Sequence, residues 1–206
     1  MIFNSGFDIS RALAIQKRIL SVVVSAVLLS LFLPITLLFM VLVRLDSPGP
    51  IFYRQERTGQ DGRSFTLWKF RSMRQDAERG NKAVWSAGAD DPRVTRVGKL
   101  LRRTRLDELP QLFNVLRGDM SFVGPRPERP QFVQELAATI PFYPLRHAVK
   151  PGITGWAQIN HGYANSVEDT IEKLQYDLFY IKHMSVLLDA LIILETIKTV
   201  LVRKGS

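Results

Sequence analysis

The hydrophobic positions of this chain are unevenly spread, and the densest run lies near its start. Residues 19–43 read ILSVVVSAVLLSLFLPITLLFMVLV, 25 positions without a charge. As a straight helix the run is about 37 Å long, against a bilayer hydrocarbon core of about 30 Å. A run this long and this uniform belongs in a membrane. A cleaved signal peptide fits poorly, because its apolar stretch is about 7–15 residues long and ends in small residues. This run leads instead into Arg44, Asp46 and Ser47-Pro48-Gly49-Pro50. Pro34 lies past its middle, where it removes a backbone hydrogen bond and bends the helix. Basic residues flank both ends: Arg11, Lys17 and Arg18 before, Arg44, Arg54 and Arg57 after. A spanning helix calls for one basic flank, although it tolerates proline. By physics alone an ordinary spanning helix is the simpler reading. A helix that enters, breaks at Pro34 and returns to the same face explains both Pro34 and the two flanks.

Beyond the apolar run the pattern changes. Residues 51–57 and 63–70 are rich in aromatic and β-branched positions, and Gly59-Gln60-Asp61-Gly62 between them supplies turn chemistry, which predicts a β-hairpin over residues 51–70. Residues 75–91 are polar and glycine-bearing and read as a loop. Residues 94–116 show helical spacing divided at Pro110. The six prolines between Pro125 and Pro151 predict irregular structure, with a tight turn at Pro151-Gly152-Ile153-Thr154-Gly155. Ser166-Val167-Glu168-Asp169 is a capping-box-like start for a helix to about Lys182. A last apolar helix, residues 186–203, carries Asp189, Glu195 and Lys198, charges that argue against spanning and for lying along a surface, whether of protein or of bilayer. Residues 1–45 therefore form an N-terminal membrane segment, and residues 46–206 one further domain.

Composition sharpens this picture. The net charge of +9 and pI near 10.1 call for an anionic partner: nucleic acid, an anionic lipid surface or a phosphorylated substrate. The absence of cysteine excludes disulfides, thiolate metal sites and a cysteine nucleophile. His147, His161 and His183 are too scattered for a histidine zinc site. A bound metal would be held by carboxylates, which favours Mg²⁺.

Residues 98–127 hold the densest candidate chemistry. Asp107 and Glu108 follow a cluster of Arg96, Lys99, Arg102, Arg103 and Arg105. Neighbours on a helix point about 100° apart, so the two carboxylates have separate roles. Pro110 suits the first turn of a helix, which makes Asp107 an N-cap candidate beside a phosphate-attracting helix end. An N-cap Asp followed by a first-turn Glu is also ordinary helix construction, and spacing does not decide between the two. In Gly124-Pro125-Arg126-Pro127 two prolines fix the backbone around Arg126, an arrangement suited to bidentate phosphate recognition or to a buried ion pair. Lys69 and Arg71 alternate to one face at the end of the second strand. Neither a P-loop nor a dinucleotide fingerprint is present, and Asp90-Asp91-Pro92-Arg93 lacks an Asp-x-Asp metal spacing.

Four long motifs in order, RLDSPGPIFYRQERTG (44–59), FTLWKFRSM (65–73), DPRVTRVGKLLRRTRLDELPQLFNVLRGDMSFVGPRP (91–127) and KPGITGWAQIN (150–160), resemble those of the monotopic phosphoglycosyl transferases, a bacterial sugar transferase family. The resemblance runs from Lys17 to Val202. It implies an α+β, mostly helical fold with a re-entrant membrane helix, amphipathic surface helices and a small β-hairpin. It implies a catalytic domain on the cytoplasmic face of the bacterial inner membrane. Asp107 would attack the β-phosphorus of a UDP-sugar, releasing UMP, and polyprenyl (undecaprenyl) phosphate would then take the sugar phosphate. Glu108 would ligate Mg²⁺ together with Asp107, or manage protons. Lys69, Arg71, Arg102 and Arg126, with Pro125 and Pro127, would bind phosphate. The family often breaks its helix at Ser-Pro and places Asp near its start, where this chain has Leu33-Pro34 and Ser21. The short stretch before the apolar run suggests the small form of the family, or a piece of a larger one. The expected partners are a UDP-sugar, polyprenyl phosphate and membrane lipid, without nucleic acid; a homodimer is compatible, and the oligomeric state and the sugar are not fixed. The competing function is a non-catalytic basic protein that docks on anionic membrane or nucleic acid.

Overall fold

The computed structural model describes residues 9–74, 91–161 and 167–202. The expected loop, apart from Asp91, and the capping residue Ser166 lie outside them. The long apolar run lies within α1 (Arg11–Asp46), a 36-residue helix capped by Ser10, whose hydroxyl accepts from the Leu13 N–H at 3.2 Å. The helix continues through Pro34 rather than ending there. By length and composition it can cross a membrane.

How α1 is held matters more than its length. Lys17, Ser21 and Ser25, one helical turn apart, are buried against the rest of the chain. Lys17 pairs with Asp189 and donates to the Tyr180 hydroxyl at 2.5 Å, while Ser21 Oγ accepts from the Phe122 N–H at 3.1 Å. Arg18 donates to the Val115 and Leu116 carbonyls at 2.5 and 2.7 Å. At the other end Phe39 and Val43 pack on Phe70 and Leu101. Both flanks therefore rest on one body. Other faces of the helix present Val23, Val27, Leu31, Leu37, Leu38 and Val41, each more than half exposed.

The predicted hairpin is present as β1 (Phe52–Thr58) and β2 (Ser64–Phe70), antiparallel, with Asp61 and Gly62 at positive φ in the turn. The region of helical spacing is split not only at Pro110 but already at Arg105, into α2 (Arg96–Thr104) and α3 (Gln111–Arg117). The proline-rich stretch is more regular than expected. It holds α4 (Pro130–Thr139) and a 3-10 helix (Tyr143–Ala148), and it is bordered by β3 (Ser121–Val123) and β4 (Gly152–Thr154), with β4 parallel to β3 where a tight turn was expected. Pro130 opens α4 at a position where its missing N–H costs nothing. α5 (Trp156–Asn160), α6 (Val167–Lys182) and α7 (Val186–Val202) complete the chain. The largest core joins Leu112, Phe122, Val149, Tyr180, Ile181 and Ile192 with the N-terminal half of α1. The last helix lies along the protein, and its Asp189 is buried as the partner of Lys17: a carboxylate on an apolar helix is tolerated inside only when paired.

Candidate active site

The two adjacent carboxylates sit where α2 ends. Arg105 takes a left-handed conformation (φ 59°), which turns the chain out of α2 and into a 3-10 turn, Leu106–Glu108. Asp107 is thus inside this turn, not the N-cap of a helix starting at Glu108; α3 begins three residues later, with Pro110 ahead of it. The reason is local. Pro110 lacks an N–H and holds φ at −62°, so it suits the position preceding the helix, and the left-handed Arg105 absorbs the change of direction.

Glu108 is tied down. Its Oε1 accepts from Lys69 Nζ at 2.9 Å and from Arg126 Nη2 at 2.5 Å, with Arg126 Nη1 3.4 Å from Oε2. Burial pushes its carboxyl up, but Arg126 and Lys69 together outweigh burial and hold it well below the usual range. Asp107, 8% exposed, forms no hydrogen bond or ion pair among the described residues. Burial pushes its carboxyl up; Lys69 opposes this, the neighbouring Glu108 charge adds to it, and Arg126 and Arg102 oppose it again. One carboxylate is consumed as an anchor, and the other keeps its lone pairs beside three cations.

Lys69, Arg102 and Arg126 therefore gather around the carboxylate pair. Lys69 comes from β2 and Arg102 from the last turn of α2, where its Nε donates to Ser72 Oγ at 2.9 Å. Arg126 lies between Pro125 and Pro127 in the extended segment after β3. Arg71 goes elsewhere. Its Nη2 donates to the Val43 and Ser47 carbonyls at 3.1 and 2.6 Å and to Ser47 Oγ at 2.9 Å, capping the C-terminus of α1. Phe70, at the end of β2, separates the two basic residues, and the chain leaves the strand before the alternation that grouped Arg71 with Lys69 can hold.

Sequence reasoning missed the residues behind this cluster. Arg146 and Asp177, each 3% exposed at the side chain, form a buried pair (Nη2–Oδ2 2.8 Å), and Lys173 bonds Glu128 at 2.9 Å. The one local signal was Asp177, an acid among Leu174, Leu178 and Ile181 on an apolar helix face.

The described residues contain no cluster of three or more His, Asp or Glu side chains able to hold a metal unaided. Mg²⁺ is usually held by one or two carboxylates together with substrate phosphates and water. The uncommitted Asp107 oxygens, with Glu108 Oε2 held only by the 3.4 Å contact from Arg126 Nη1, supply hard donors of that kind, so these residues fit a Mg²⁺ that arrives with a phosphorylated substrate.

The sequence assigns this arrangement to a family: the profile described as bacterial sugar transferase matches residues 12–203, and the chain belongs to that family. Among characterised proteins it is 48% identical over 193 residues to UDP-N-acetylgalactosamine-undecaprenyl-phosphate N-acetylgalactosaminephosphotransferase of Aeromonas hydrophila, covering 94% of this chain and 45% of that one. It is 44% identical to UDP-glucose:undecaprenyl-phosphate glucose-1-phosphate transferase of Escherichia coli (strain K12), covering 92% and 41% respectively. A protein of the same name from Caulobacter vibrioides is 42% identical, with 92% of this chain and 71% of that one covered. The chain thus spans less than half the length of the first two relatives.

Proposed function

We propose that this chain is a phosphoglycosyl transferase that moves a sugar 1-phosphate from a UDP-sugar to polyprenyl phosphate. The observation that carries this reading is the division of labour at residues 107 and 108. Glu108 is locked between Lys69 and Arg126, while Asp107 keeps its oxygens uncommitted among the same cations. An Asp107 Oδ attacks the β-phosphorus; the bond from that phosphorus to the bridging oxygen breaks, and UMP departs with the electron pair. The aspartyl phospho-sugar is an acyl phosphate and keeps the group activated. An oxygen of polyprenyl phosphate then attacks the same phosphorus and releases the Asp107 carboxylate, giving a lipid diphospho-sugar.

The electrostatics suit both steps. Burial makes the Asp107 carboxylate more basic and hence a better nucleophile, and the cations around it offset phosphate charge. Lys69, Arg102 and Arg126 orient the diphosphate for in-line attack. Mg²⁺ held by Asp107 and Glu108 with the substrate phosphates would supply further charge neutralisation.

The membrane arrangement belongs to the same proposal. A helix crossing the bilayer between residues 19 and 43 would place its two flanks about 30 Å or more apart, on opposite faces. Here both flanks dock on one body, Lys17 and Ser21 at one end and Phe39 and Val43 at the other. That contact pattern supports a re-entrant α1 with both ends on the cytoplasmic face. The exposed apolar side chains of α1 then meet lipid, near the site where a polyprenyl acceptor must arrive.

Release of UMP from a panel of UDP-sugars, with undecaprenyl phosphate and Mg²⁺ supplied, tests the reaction. Acceptor-dependent release with at least one sugar is expected. Salt-sensitive binding to polyanions with no turnover of any UDP-sugar would favour the non-catalytic alternative.

A further inference from the structure

The cluster around Glu108 depends on where Arg126 points, and the segment carrying Arg126 has little means of fixing itself. Pro125 and Pro127 have no N–H, and residues 124–129 belong to no helix or strand. Their carbonyls must find donors elsewhere. Four in succession do. The Pro125 carbonyl accepts from the Gly152 N–H on β4 at 2.9 Å, and that of Glu128 from the Thr58 N–H at the end of β1 at 2.9 Å. Between them, the Arg126 carbonyl accepts from Arg146 Nη2 at 3.0 Å and the Pro127 carbonyl from Arg57 Nη1 at 2.9 Å.

The outer two donors are main-chain groups, and the approach there is close. A Cβ on Gly124 would stand 2.5 Å from the Lys150 carbonyl oxygen, and one on Gly152 would stand 2.1 Å from the Gly124 nitrogen. The inner two donors are side chains that the sequence had to supply. Arg146 gives Nε and Nη2 to Asp177 Oδ2 at 3.1 and 2.8 Å and Nη1 to the Tyr143 hydroxyl at 2.9 Å. Arg57 gives Nε and Nη2 to Gln55 Oε1 at 3.0 and 2.6 Å, and its Nη1 also lies 3.6 Å from Glu128. Every guanidinium nitrogen of both residues already holds an acceptor within the protein. An ion pair with Asp177 alone would not require Arg146 to reach the Arg126 carbonyl; the planar fork allows both at once.

We propose that Arg146 and Arg57 are positioning residues that clamp the Arg126 and Pro127 carbonyls and so aim the Arg126 side chain at Glu108 and the substrate diphosphate. The inference rests on the transferase reading above, in which Arg126 meets phosphate. Lysine keeps the charge at either position but cannot bridge the partners that the guanidinium spans. A misdirected Arg126 would lose its hold on charge that grows at the phosphorus, so kcat should suffer more than KM.

A double-mutant cycle on the full-length chain tests this. Arg57→Lys and Arg146→Lys are made alone and together with Arg126→Ala. UMP release is followed with UDP-N-acetylgalactosamine and UDP-glucose as probes, with undecaprenyl phosphate, and each variant's Tm is recorded. The clamp predicts that each lysine variant lowers kcat about 10-fold with KM within about threefold, and costs less than about twofold once Arg126 is alanine. Equal losses with and without Arg126, or wild-type kcat in a folded lysine variant, would overturn the clamp. Arg57 is the less buried of the two, so Arg57→Lys decides the matter should Arg146→Lys not fold. Wild-type turnover by Arg126→Ala would instead sink the transferase role of Arg126, and absence of turnover of both probes by the wild type would count against the reading beneath it.

Discussion

Two neighbouring carboxylates, Asp107 and Glu108, have opposite electrostatic fates because one is paired and the other is not. Glu108 neutralises Lys69 and Arg126, so Glu108→Gln leaves two cations facing each other with a weakened acceptor between them. The expected result is a loss of about 1–3 kcal/mol of stability, read as a lower Tm, together with reduced turnover. Asp107→Asn removes a buried charge whose folded-state pKa is raised, so its Tm should stay level or rise while turnover falls about 10³-fold or more. His147 offers an independent check. Burial first, then the neighbouring Arg146 charge, pushes its pKa down to about 4, so the folded protein holds it neutral. The unfolded chain binds a proton at about 6.5, so the stability this site contributes is present above that pH and is lost as pH falls toward about 4. The decline in Tm over that window should be shallower in His147→Gln. The pairing of Asp107 with Glu108 was legible from their adjacency. Their division of labour was not, because Lys69 and Arg126 lie 39 and 18 residues away from Glu108.

Elements were legible where a local signal specified them. The hairpin of β1 and β2 followed from aromatic and β-branched runs on either side of Gly59–Gly62, α6 from its capping-box-like start and α7 from its apolar run. The proline-rich region was read as irregular although α4 begins on one of those prolines, because proline density does not distinguish a loop from a helix start. The pairing of β3 with β4 joins three-residue strands about thirty residues apart, which no local pattern reports. Arg71 shows the same limit: its strand-end position suggested a phosphate ligand, and the fold uses it to cap α1. Arg71→Met should therefore lower Tm by loosening the junction of α1 with the hairpin, while leaving the KM for the UDP-sugar near the wild-type value. A large rise in KM without loss of stability would return Arg71 to the substrate site.

At the scale of the whole molecule, one body grips both flanks of an apolar helix and carries a carboxylate–cation cluster. The membrane character of α1 was plain from its composition, but the docking of its flanks on one body was not, since it depends on Lys17 meeting Asp189 and Val43 meeting Leu101. The 206 residues contain no cysteine, which makes single-cysteine labelling direct. Ala12→Cys and Arg63→Cys should both react with an impermeant reagent from the same side of sealed vesicles; labelling from opposite sides would mean a spanning helix. The central claim, that Asp107 carries the sugar phosphate, is tested most directly by intact-protein mass spectrometry after exposure to a UDP-sugar and Mg²⁺ without polyprenyl phosphate. The wild type should gain the mass of one phospho-sugar, lose it when polyprenyl phosphate is added, and show no gain as Asp107→Asn. Full acceptor-dependent UMP release by Asp107→Asn would contradict the account.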